Sequence, residues 1–371
     1  MTERMNIAVN LLWCVPGDVG GSEEYLVRQL LGLAAQPNDF RPTLYVVNSF
    51  ARAHPELVDL YPMVIFGITG RERSRRILAE HTWLPRRTRR AELVHHGGGT
   101  TPLVGARPIV LTIHDLQYLT HPEYHSRNKL RYLRAAVPHS IKRAAVVATP
   151  TEWVRSTVID EFGIDPDRVM VVPHGVEAEI GDGAPTESEL RHQYGLGSGR
   201  VLVFPAITHP HKGHEFLLDV MAHHWNDPAL RLVMTGGAGL AEQQVESKIA
   251  SLGLADRVVR TGRVPASHRD GLLALAEALV FPSEYEGFGA PVVEAMALGT
   301  PVIAADQPAV AEVVGDAGIV LERAVDAWAS ALDDVAERRT ELIAAGRVRR
   351  TDFSVERSGA ALAAAYRRAL T

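Results

Sequence analysis

The sequence predicts an α/β protein built from two domains, each with a parallel sheet. Short apolar runs alternate with helix-like segments from one end of the chain to the other, which is the pattern of parallel α/β sheets. The length of 371 residues is long for one hydrophobic core and suits two domains of ordinary size. A polar, glycine-rich stretch at 181–199 separates the two series of runs, so we predict that it links the domains and leads into the second.

The apolar runs that predict the strands are short and bounded by polar or glycine-rich turns. In the first domain they cover 6–12, 43–47, 93–95, 109–113, 145–148 and 169–172. In the second domain they cover 201–204, 231–234, 258–261, 278–281 and 302–304. We expect helices in the gaps and in the tail. The domains are placed at 1–180 and 181–349, followed by a C-terminal helix at 350–371.

Composition excludes several classes of protein. Hydrophobic residues make up 46% and charged residues 22%, as in soluble globular proteins, and the formal net charge of −5 argues against a nucleic-acid binder. Cys14 is the single cysteine, so no internal disulfide is possible and a reducing compartment is favoured. No apolar stretch has the length of a membrane span and the N-terminus lacks a secretory pattern, so we expect a cytoplasmic location.

The segment from 282 to 299 is the most informative for function. It follows a buried strand and has a proline in the first turn of the predicted helix. Gly287 and Gly289 allow the backbone to approach a ligand, and amides at a helix N-terminus attract anions such as phosphate. Glu286 and Glu294 flank this turn. Because two carboxylates would repel an anion, they are predicted to bind hydroxyl groups, such as those of a sugar and a ribose.

The two glutamates and their spacing resemble the Glu-x7-Glu motif of retaining glycosyltransferases, and the flanking residues match as well. The chain therefore resembles glycosyltransferase family 4. The resemblance implies the GT-B fold, in which two Rossmann-like parallel-sheet domains face a cleft and a C-terminal helix returns to the first domain. It also implies that Glu294 binds the nucleotide ribose and that Glu286 contacts the donor sugar. The residues expected to hold the donor diphosphate through backbone amides are Gly287, Phe288, Gly289 and Ala290.

A second glycine-rich turn follows the first predicted strand and opens a helix. Glycines before a helix bring amides toward a phosphate, but the turn also fits a plain strand-to-helix connection capped by Ser22. The family resemblance favours the first interpretation, because a Gly-Gly pair at this place lies against the donor diphosphate in family 4. Gly20 and Gly21 are therefore predicted to bind the donor.

His114 and Asp115 follow directly on the strand at 109–113, at the sheet edge where α/β folds bind ligands. A histidine in such a place is often structural. The sequence His-Asp-Leu, however, resembles a family 4 pattern in which the histidine approaches the donor sugar. We therefore predict that His114 contacts the donor sugar and stabilises the transition state, and that Asp115 caps or orients the loop.

The first strand of the second domain leads into a segment with a lysine and three histidines. Transfer from a sugar nucleotide leaves negative charge on the departing diphosphate, and a fixed cation stabilises that transition state. Lys212 matches the lysine of the family, but Ala206 stands where many members have an arginine. His211 or His209 is the predicted substitute, unless the second cation comes from elsewhere.

His209, His211 and His214 also have a spacing that is compatible with zinc. No nearby cysteine or acid completes a zinc shell, a proline divides the first pair, and the family resemblance requires no metal. Glycine fragments of a dinucleotide fingerprint occur, but they lack its strand–turn–helix context or its matching acid. We therefore expect neither a metal nor a cofactor.

The stretch 71–90 is strongly basic, in contrast to the chain as a whole. One interpretation is a solvated helix surface. The other is contact with an anionic acceptor or with a membrane face, in which the charge steers a phosphorylated or lipid-linked acceptor. The arginines are Arg71, Arg73, Arg75, Arg76, Arg86, Arg87, Arg89 and Arg90, and the acids among them are Glu72 and Glu80.

Together these residues predict a retaining, metal-independent hexosyltransferase. The expected donor is a nucleotide-diphosphate sugar, with mannose from GDP-mannose favoured by the His-Asp-Leu resemblance, and glucose or N-acetylglucosamine still open. The acceptor is expected to be a hydroxyl of a glycan, a lipid-linked or a small molecule. Two alternatives are a sugar-nucleotide epimerase of the same fold and a non-catalytic protein that binds nucleotide sugars.

Overall fold

The structure, a computed structural model, describes residues 4–371. The chain divides into two compact units. The first unit ends at Gly175 and also takes in Ser354–Thr371, and the second unit is Val176–Phe353. Separate sets of buried apolar side chains fill the interior of each unit.

All strands of the first unit's sheet are parallel. They are β1 Met5–Asn10, β2 Phe40–Val47, β3 Met63–Phe66, β4 Leu93–His96, β5 Ile109–Thr112, β6 Val146–Thr149 and β7 Val169–Val171. Their order across the sheet is β3-β2-β1-β4-β5-β6-β7. The inner strands β4, β5 and β6 are buried at every residue, as expected of a parallel sheet covered on both faces.

Helices connect these strands, because parallel neighbours require a crossover. The helices of this part of the chain are α1 Gly21–Ala34, α2 Asn48–Ala53, α3 Pro55–Val58, α4 Arg73–Arg87, α5 Gln117–Thr120, α6 Arg127–Arg143 and α7 Glu152–Phe162. The N-terminus of α6 is capped by Ser126 and that of α7 by Thr151, whose side chains each accept a hydrogen bond from a backbone amide of the first turn.

The second unit repeats this plan with a second parallel sheet. Its strands are β8 Val201–Pro205, β9 Arg231–Thr235, β10 Val258–Gly262, β11 Ala278–Phe281, β12 Val302–Ala305 and β13 Ile319–Leu321. Their order is β10-β9-β8-β11-β12-β13. The helices that follow along the chain are α8 Glu187–Gln193, α9 His214–His223, α10 Glu242–Ser251, α11 Ala266–Leu275, α12 Ala290–Leu298, α13 Pro308–Val314, α14 Ala331–Arg349 and the C-terminal α15 Val355–Leu370.

The C-terminal helix α15 belongs to the first unit, where it packs against α1. The two helices cross closely because a glycine of each faces the other. A Cβ atom on Gly32 would lie 1.9 Å from the carbonyl oxygen of Val355, and one on Gly359 would lie 2.1 Å from the carbonyl carbon of Gly32. Tyr366 adds a buried hydrogen bond of 2.9 Å to His95 Nδ1. Close packing and a satisfied polar pair thus fix the chain's end on the first unit.

The strand order reverses at one place in each sheet, between β1 and β4 in the first unit and between β8 and β11 in the second. In open parallel sheets, the loops at the carboxyl ends of the strands separate at such a point, and ligands bind there. The loops concerned are 11–20 and 97–108 in the first unit, and 206–213 and 282–289 in the second.

The predicted α/β architecture with two parallel sheets is confirmed. Two strands were not predicted, β3 and β13, which are apolar but only four and three residues long and lie at sheet edges, where most of their residues are only partly buried. The stretch 181–199, predicted as a linker, contains α8, whose Thr186 and Glu189 form a capping box. Within residues 4–371, no helix combines the length and the apolar character needed to cross a bilayer.

Candidate active site

The predicted site residues lie in two groups, one at the carboxyl edge of each sheet. In the second unit, Lys212 lies in the loop after β8 and Glu286 in the loop after β11, on the two sides of the switch point. In the first unit, Gly20 ends the loop after β1, and His114 follows β5. Each unit therefore brings its own predicted site residues to one edge of its sheet.

Lys212 and Glu286 form a direct ion pair at the switch point of the second sheet. Lys212 Nζ donates to Glu286 Oε1 over 2.6 Å, and the two side chains keep 22% and 11% of their surface exposed. Gln307 Nε2 donates to the backbone oxygen of Glu286 over 3.3 Å, while its Oε1 accepts from Val310 N at the start of α13. The pair is thus held between two loops and remains open to solvent on one side.

The two loops that carry this pair are joined through their backbones. Glu284 N donates to His211 O over 2.7 Å. Gly213 follows Lys212 with a φ of 81°, and a Cβ atom there would lie 2.6 Å from the oxygen of Pro282. Only glycine takes this conformation without strain at so close an approach. The position of Lys212 relative to Glu286 is therefore set by the backbone.

The predicted diphosphate-binding residues form the turn that opens α12. Gly289 has a φ of 89° at the N-cap position, and no side chain caps the helix. Phe288 is buried in the core of the unit, and Ala290 begins the helix beside Pro291. An uncapped helix N-terminus carries partial positive charge and favours an anion. The turn from Gly287 to Ala290 thus has the geometry of an anion site, and diphosphate binding there stays a prediction.

Glu294 lies one turn into α12, and its side chain is only 2% exposed. Its Oε1 is 3.8 Å from Arg269 NH2, and Arg269 also donates to Asp270 Oδ1 over 2.9 Å. A buried carboxylate requires such a charged neighbour, because removal from water is costly for an unpaired charge. The predicted contact between Glu294 and a ribose stays a prediction.

The histidines near Lys212 are largely buried. His209 and His211 stack with ring centroids 5.8 Å apart, and His211 is 8% exposed. Burial lowers the pKa of His214 to about 4, and the charge of Arg260 adds to the effect, so its ring is neutral near pH 7. Across residues 4–371, no group of three or more His, Cys, Asp or Glu side chains is arranged to hold a metal ion.

Ala206, where the resemblance to many family members predicts an arginine, begins the loop after β8, and a Cβ atom on Gly236 would lie 2.2 Å from its backbone oxygen. An exposed cation from another strand lies nearby. Arg263 follows β10, and its Nε would be 2.9 Å from a Cβ atom on Gly237, in the neighbouring loop after β9. Arg263 forms no ion pair with residues 4–371, in contrast to Arg260, which donates to Glu242 over 2.7 Å.

The glycine turn of the first unit is anchored by an acid in the helix that it opens. Gly20 has a φ of 62° at the N-cap of α1, and no side chain caps this helix. Glu23 Oε2 accepts from Gly17 N over 3.0 Å, and its Oε1 lies 2.8 Å from His54 Nε2. A Cβ atom on Gly20 or Gly21 would meet nothing within 4 Å, so the space in front of the turn is open.

His114 lies beside two aromatic rings and has a fixed tautomer. Its Nε2 donates to Gly97 O over 2.8 Å, so in the neutral ring Nδ1 is an acceptor. Its ring centroid is 5.1 Å from that of Tyr25 and 5.7 Å from that of Trp13. Burial lowers the pKa of His114 below its usual value, against the raising effects of Gly97 and Asp115. Asp115 Oδ1 accepts over 2.9 Å from the backbone amide of Gln117, the first residue of α5.

The basic stretch 71–90 spans both ends of α4. This helix leads from the end of β3 to the start of β4, so its first turn lies at the carboxyl edge of the sheet and its last turn at the opposite edge. The 15 residues of α4 separate these ends by about 22 Å. Arg73 and Arg76 therefore lie at the edge that carries His114, whereas Arg86 and Arg89 do not.

Two residues near the second switch point were missed by sequence reasoning, Gln307 and Arg263. A signal for Gln307 was its place before Pro308, which is typical of a helix N-cap. Arg263 directly follows a predicted strand, but the sequence does not show which acids lie close enough to form an ion pair with it. The alanine at position 206 was the one sequence signal that a cation from elsewhere was needed.

Models of two protein families match the chain. The model described as Glycosyltransferase Family 4 matches residues 19–180, and the model described as Glycosyl transferases group 1 matches residues 187–349. Together they cover most of both units, including the glycine turn of the first unit and the paired loops of the second.

Curated relatives and solved structures agree with these matches. O-antigen chain mannosyltransferase B of Escherichia coli is 30% identical over 217 residues, which is 57% of this chain and 57% of that protein. The alpha-D-kanosaminyltransferase of Streptomyces kanamyceticus is 28% identical over 70% of each chain. The crystal structure of Anabaena HepE in complex with UDP and glucose superposes with a TM-score of 0.77 at 21% identity, over 98% of this chain and 100% of that one.

Proposed function

This chain belongs to glycosyltransferase family 4, and we propose that it transfers a hexose from a nucleotide-diphosphate sugar to a hydroxyl group with retention of the anomeric configuration. The observation that carries the proposal is the ion pair of 2.6 Å between Lys212 and Glu286 at the switch point of the second sheet, beside the uncapped N-terminus of α12. The cation and the backbone dipoles of this arrangement suit a phosphate, and the carboxylate suits a sugar hydroxyl.

In the proposed reaction, the bond between the anomeric carbon and the diphosphate oxygen breaks, and the acceptor oxygen bonds to the same face of that carbon. The acceptor proton passes to the departing phosphate. Negative charge therefore grows on the phosphate oxygens as the bond breaks, and positive groups fixed beside them lower the barrier. Lys212 and the first turn of α12 supply those groups without reorganisation, because Gly213 and Gly289 fix their backbones.

Glu286 has two tasks in this proposal. Its Oε1 holds Lys212, so the ammonium is already oriented when the donor arrives. Because the two side chains keep only 22% and 11% of their surface exposed, the cost of removing both charges from water offsets much of their attraction, so the pair is better explained by orientation than by folding. The carboxylate oxygens also accept hydrogen bonds, which suits a hydroxyl of the donor sugar.

His114 acts in this proposal as a neutral acceptor for a sugar hydroxyl. Its Nε2 proton is already used by Gly97 O, and its lowered pKa keeps Nδ1 unprotonated near pH 7. We therefore propose a positioning contact with the donor sugar, in place of a cationic stabiliser. In the second unit, Arg263 supplies the further cation for the nucleotide that Ala206 cannot provide.

GDP-mannose is the proposed donor, and a glycan, lipid-linked or small-molecule hydroxyl is the proposed acceptor. Support for mannose comes from the similarity to the O-antigen chain mannosyltransferase and from the His-Asp-Leu sequence at His114. The HepE structure holds UDP and glucose, so UDP-glucose is the first competing donor. The charge of the stretch 71–90 supports a peripheral contact with an anionic membrane.

A donor screen tests the proposal. The protein is incubated with GDP-mannose, UDP-glucose or UDP-N-acetylglucosamine, with water alone or with an added panel of glycan and small-molecule hydroxyl acceptors, nucleotide release is measured, and the products are identified by NMR. Release of GDP from GDP-mannose, faster than from the other donors, is the expected result. Formation of an epimer without nucleotide release would identify an epimerase instead, and calorimetric binding without any turnover would identify a non-catalytic binding protein.

A further inference from the structure

Three large apolar side chains of the first unit stay exposed on neighbouring elements. Leu78 is on α4, and Leu103 and Val104 are adjacent in the loop after β4. Their exposed fractions are 62%, 64% and 66%. An exposed apolar side chain is ordinary when it is single, whereas a contiguous group of them marks a surface that contacts another molecule.

The loop after β4 runs along α4, which makes these side chains neighbours. Leu103 N donates to His81 Nδ1 over 3.4 Å, and Leu78 lies one turn before His81 on the same face of the helix. One turn further along α4, Pro85 lines a surface hollow together with Gly105 of the loop. The three apolar side chains therefore belong to one face of the unit.

The exposure of Leu103 is imposed by the fold. Its amide is bound to His81, and its backbone oxygen accepts from Arg143 Nη1 over 2.6 Å. Because both polar groups of its backbone are bound, the loop cannot turn this side chain inward without breaking two hydrogen bonds. The loop thus holds Leu103 and the adjacent Val104 toward solvent.

Exposed arginines lie beside these apolar side chains. Arg86 and Arg89 line the same hollow as Pro85, and Arg107 follows in the loop. All three arginines are exposed, and none forms an ion pair with any of residues 4–371. The face therefore combines aliphatic side chains with cations whose charge no acid of the described chain neutralises.

We propose that this face docks the protein on an anionic lipid bilayer, with the side chains of the loop inserted among the lipid headgroups. The docking face consists of Leu78, Arg86, Arg89, Leu103, Val104 and Arg107. The inference rests on the peripheral membrane contact in the proposed function and deepens it, because it names apolar side chains that enter the bilayer.

An anionic bilayer satisfies both kinds of side chain on the docking face. Aliphatic groups gain free energy when they leave water for the boundary of the acyl chains, and arginines beside them are attracted by the negative surface potential. A nucleic acid would bind the arginines through its phosphates but would leave the aliphatic side chains exposed to water. The combination therefore favours a lipid surface.

Sedimentation with vesicles tests the apolar part of the docking face on the full chain. Vesicles of phosphatidylcholine with phosphatidylglycerol are compared with phosphatidylcholine alone. The variant Leu103→Asn/Val104→Asn is matched by Val58→Asn/Leu60→Asn, which changes another exposed apolar pair of the same unit, at α3, which packs against α1. We expect the loop variant to lower the partition coefficient on anionic vesicles about tenfold or more and the control to leave it unchanged.

The charged part is tested in the same way with Arg86→Gln/Arg89→Gln. Its control is Arg41→Gln/Arg52→Gln, which removes two exposed charges elsewhere in the unit. We expect the first variant to weaken binding to anionic vesicles about tenfold and to reduce its dependence on salt, and the control to change neither.

The proposal is overturned if the wild-type protein does not bind anionic vesicles, or if Leu103→Asn/Val104→Asn binds them as well as the wild type. It is also overturned if the wild type forms a dimer in sedimentation equilibrium that this variant dissociates, because the face would then pair with a second copy of the chain. Calorimetric affinity for the nucleotide reports separately on the proposed function, and none of these variants should change it.

Discussion

In the proposed reaction, the chemistry of the second unit depends on Lys212. Its ammonium is paired with Glu286 over 2.6 Å, yet 22% of its side chain remains exposed. Gly213 fixes its backbone, and the uncapped turn of α12 begins in the adjacent loop. A residue that contributes little to stability but is held this firmly is suited to act on a ligand.

Glu80, on α4, carries a carboxyl group with a raised pKa, which makes stability depend on pH. Burial raises the pKa of its carboxyl group to about 7 from 4.5, although Arg76 and Asn10 act in the opposite direction. Because the unfolded chain loses this proton first, the folded protein should lose stability as pH rises from about 4.5 to about 7. Glu80→Gln should therefore match the wild type at pH 5 and exceed its unfolding free energy at pH 8 by on the order of 1–3 kcal/mol.

Urea unfolding at both pH values measures this difference, with Glu72→Gln at the N-cap position of the same helix as an exposed control. If Glu80→Gln changed the unfolding free energy equally at pH 5 and pH 8, protonation of Glu80 would not contribute to the pH dependence of stability.

At the scale of elements, the packing of α15 on α1 completes the first unit. The helices approach so closely that neither Gly32 nor Gly359 has room for a Cβ atom. Their apolar contacts also include Phe40, whose ring lies 5.4 Å from that of Tyr366. The C-terminal helix is therefore part of the first unit's core.

Gly359→Ala should destabilise the first unit by about 1–3 kcal/mol, because the added methyl group requires the two helices to separate. The measurement is the urea midpoint, together with the rate of proteolysis at the C-terminus. Ala360→Ser, at an exposed position of the same helix, is the control. An unchanged midpoint for Gly359→Ala would show that the helices separate without cost.

The element scale also explains what could be predicted from the sequence. Strand ends were predictable, and because the carboxyl ends of parallel strands share one edge, the sequence places Lys212 and Glu286 at the same edge of the second sheet. Their direct contact was not predictable, since it depends on the φ of Gly213 and its approach to Pro282. The availability of Arg263 was not predictable either, because it depends on which acids its neighbours use.

At the scale of the whole molecule, two units of the same sheet order carry different chemistry. The first has a glycine turn, a neutral histidine and the basic stretch at 71–90, whereas the second has the Lys212–Glu286 pair and the turn of α12. The net charge of −5 contrasts with the basic stretch at 71–90, so the field of the protein favours the approach of anions at one region of its surface.

Turnover should not require a metal ion, because Lys212 and the dipole of α12 supply the positive charge that a metal would otherwise provide. The rate of nucleotide release in about 5 mM EDTA, which is in large excess over trace metal, should equal the rate of the untreated protein. Loss of activity that Mg²⁺ or Mn²⁺ restores would contradict this expectation.

The most direct test of the central claim compares Lys212→Gln with the wild type in nucleotide release from the donor, alongside calorimetric binding of the free nucleotide. If Lys212 stabilises the departing diphosphate, kcat should fall about 100-fold or more while nucleotide affinity changes only a few-fold. Full turnover by Lys212→Gln would contradict the assignment of this residue to the leaving group.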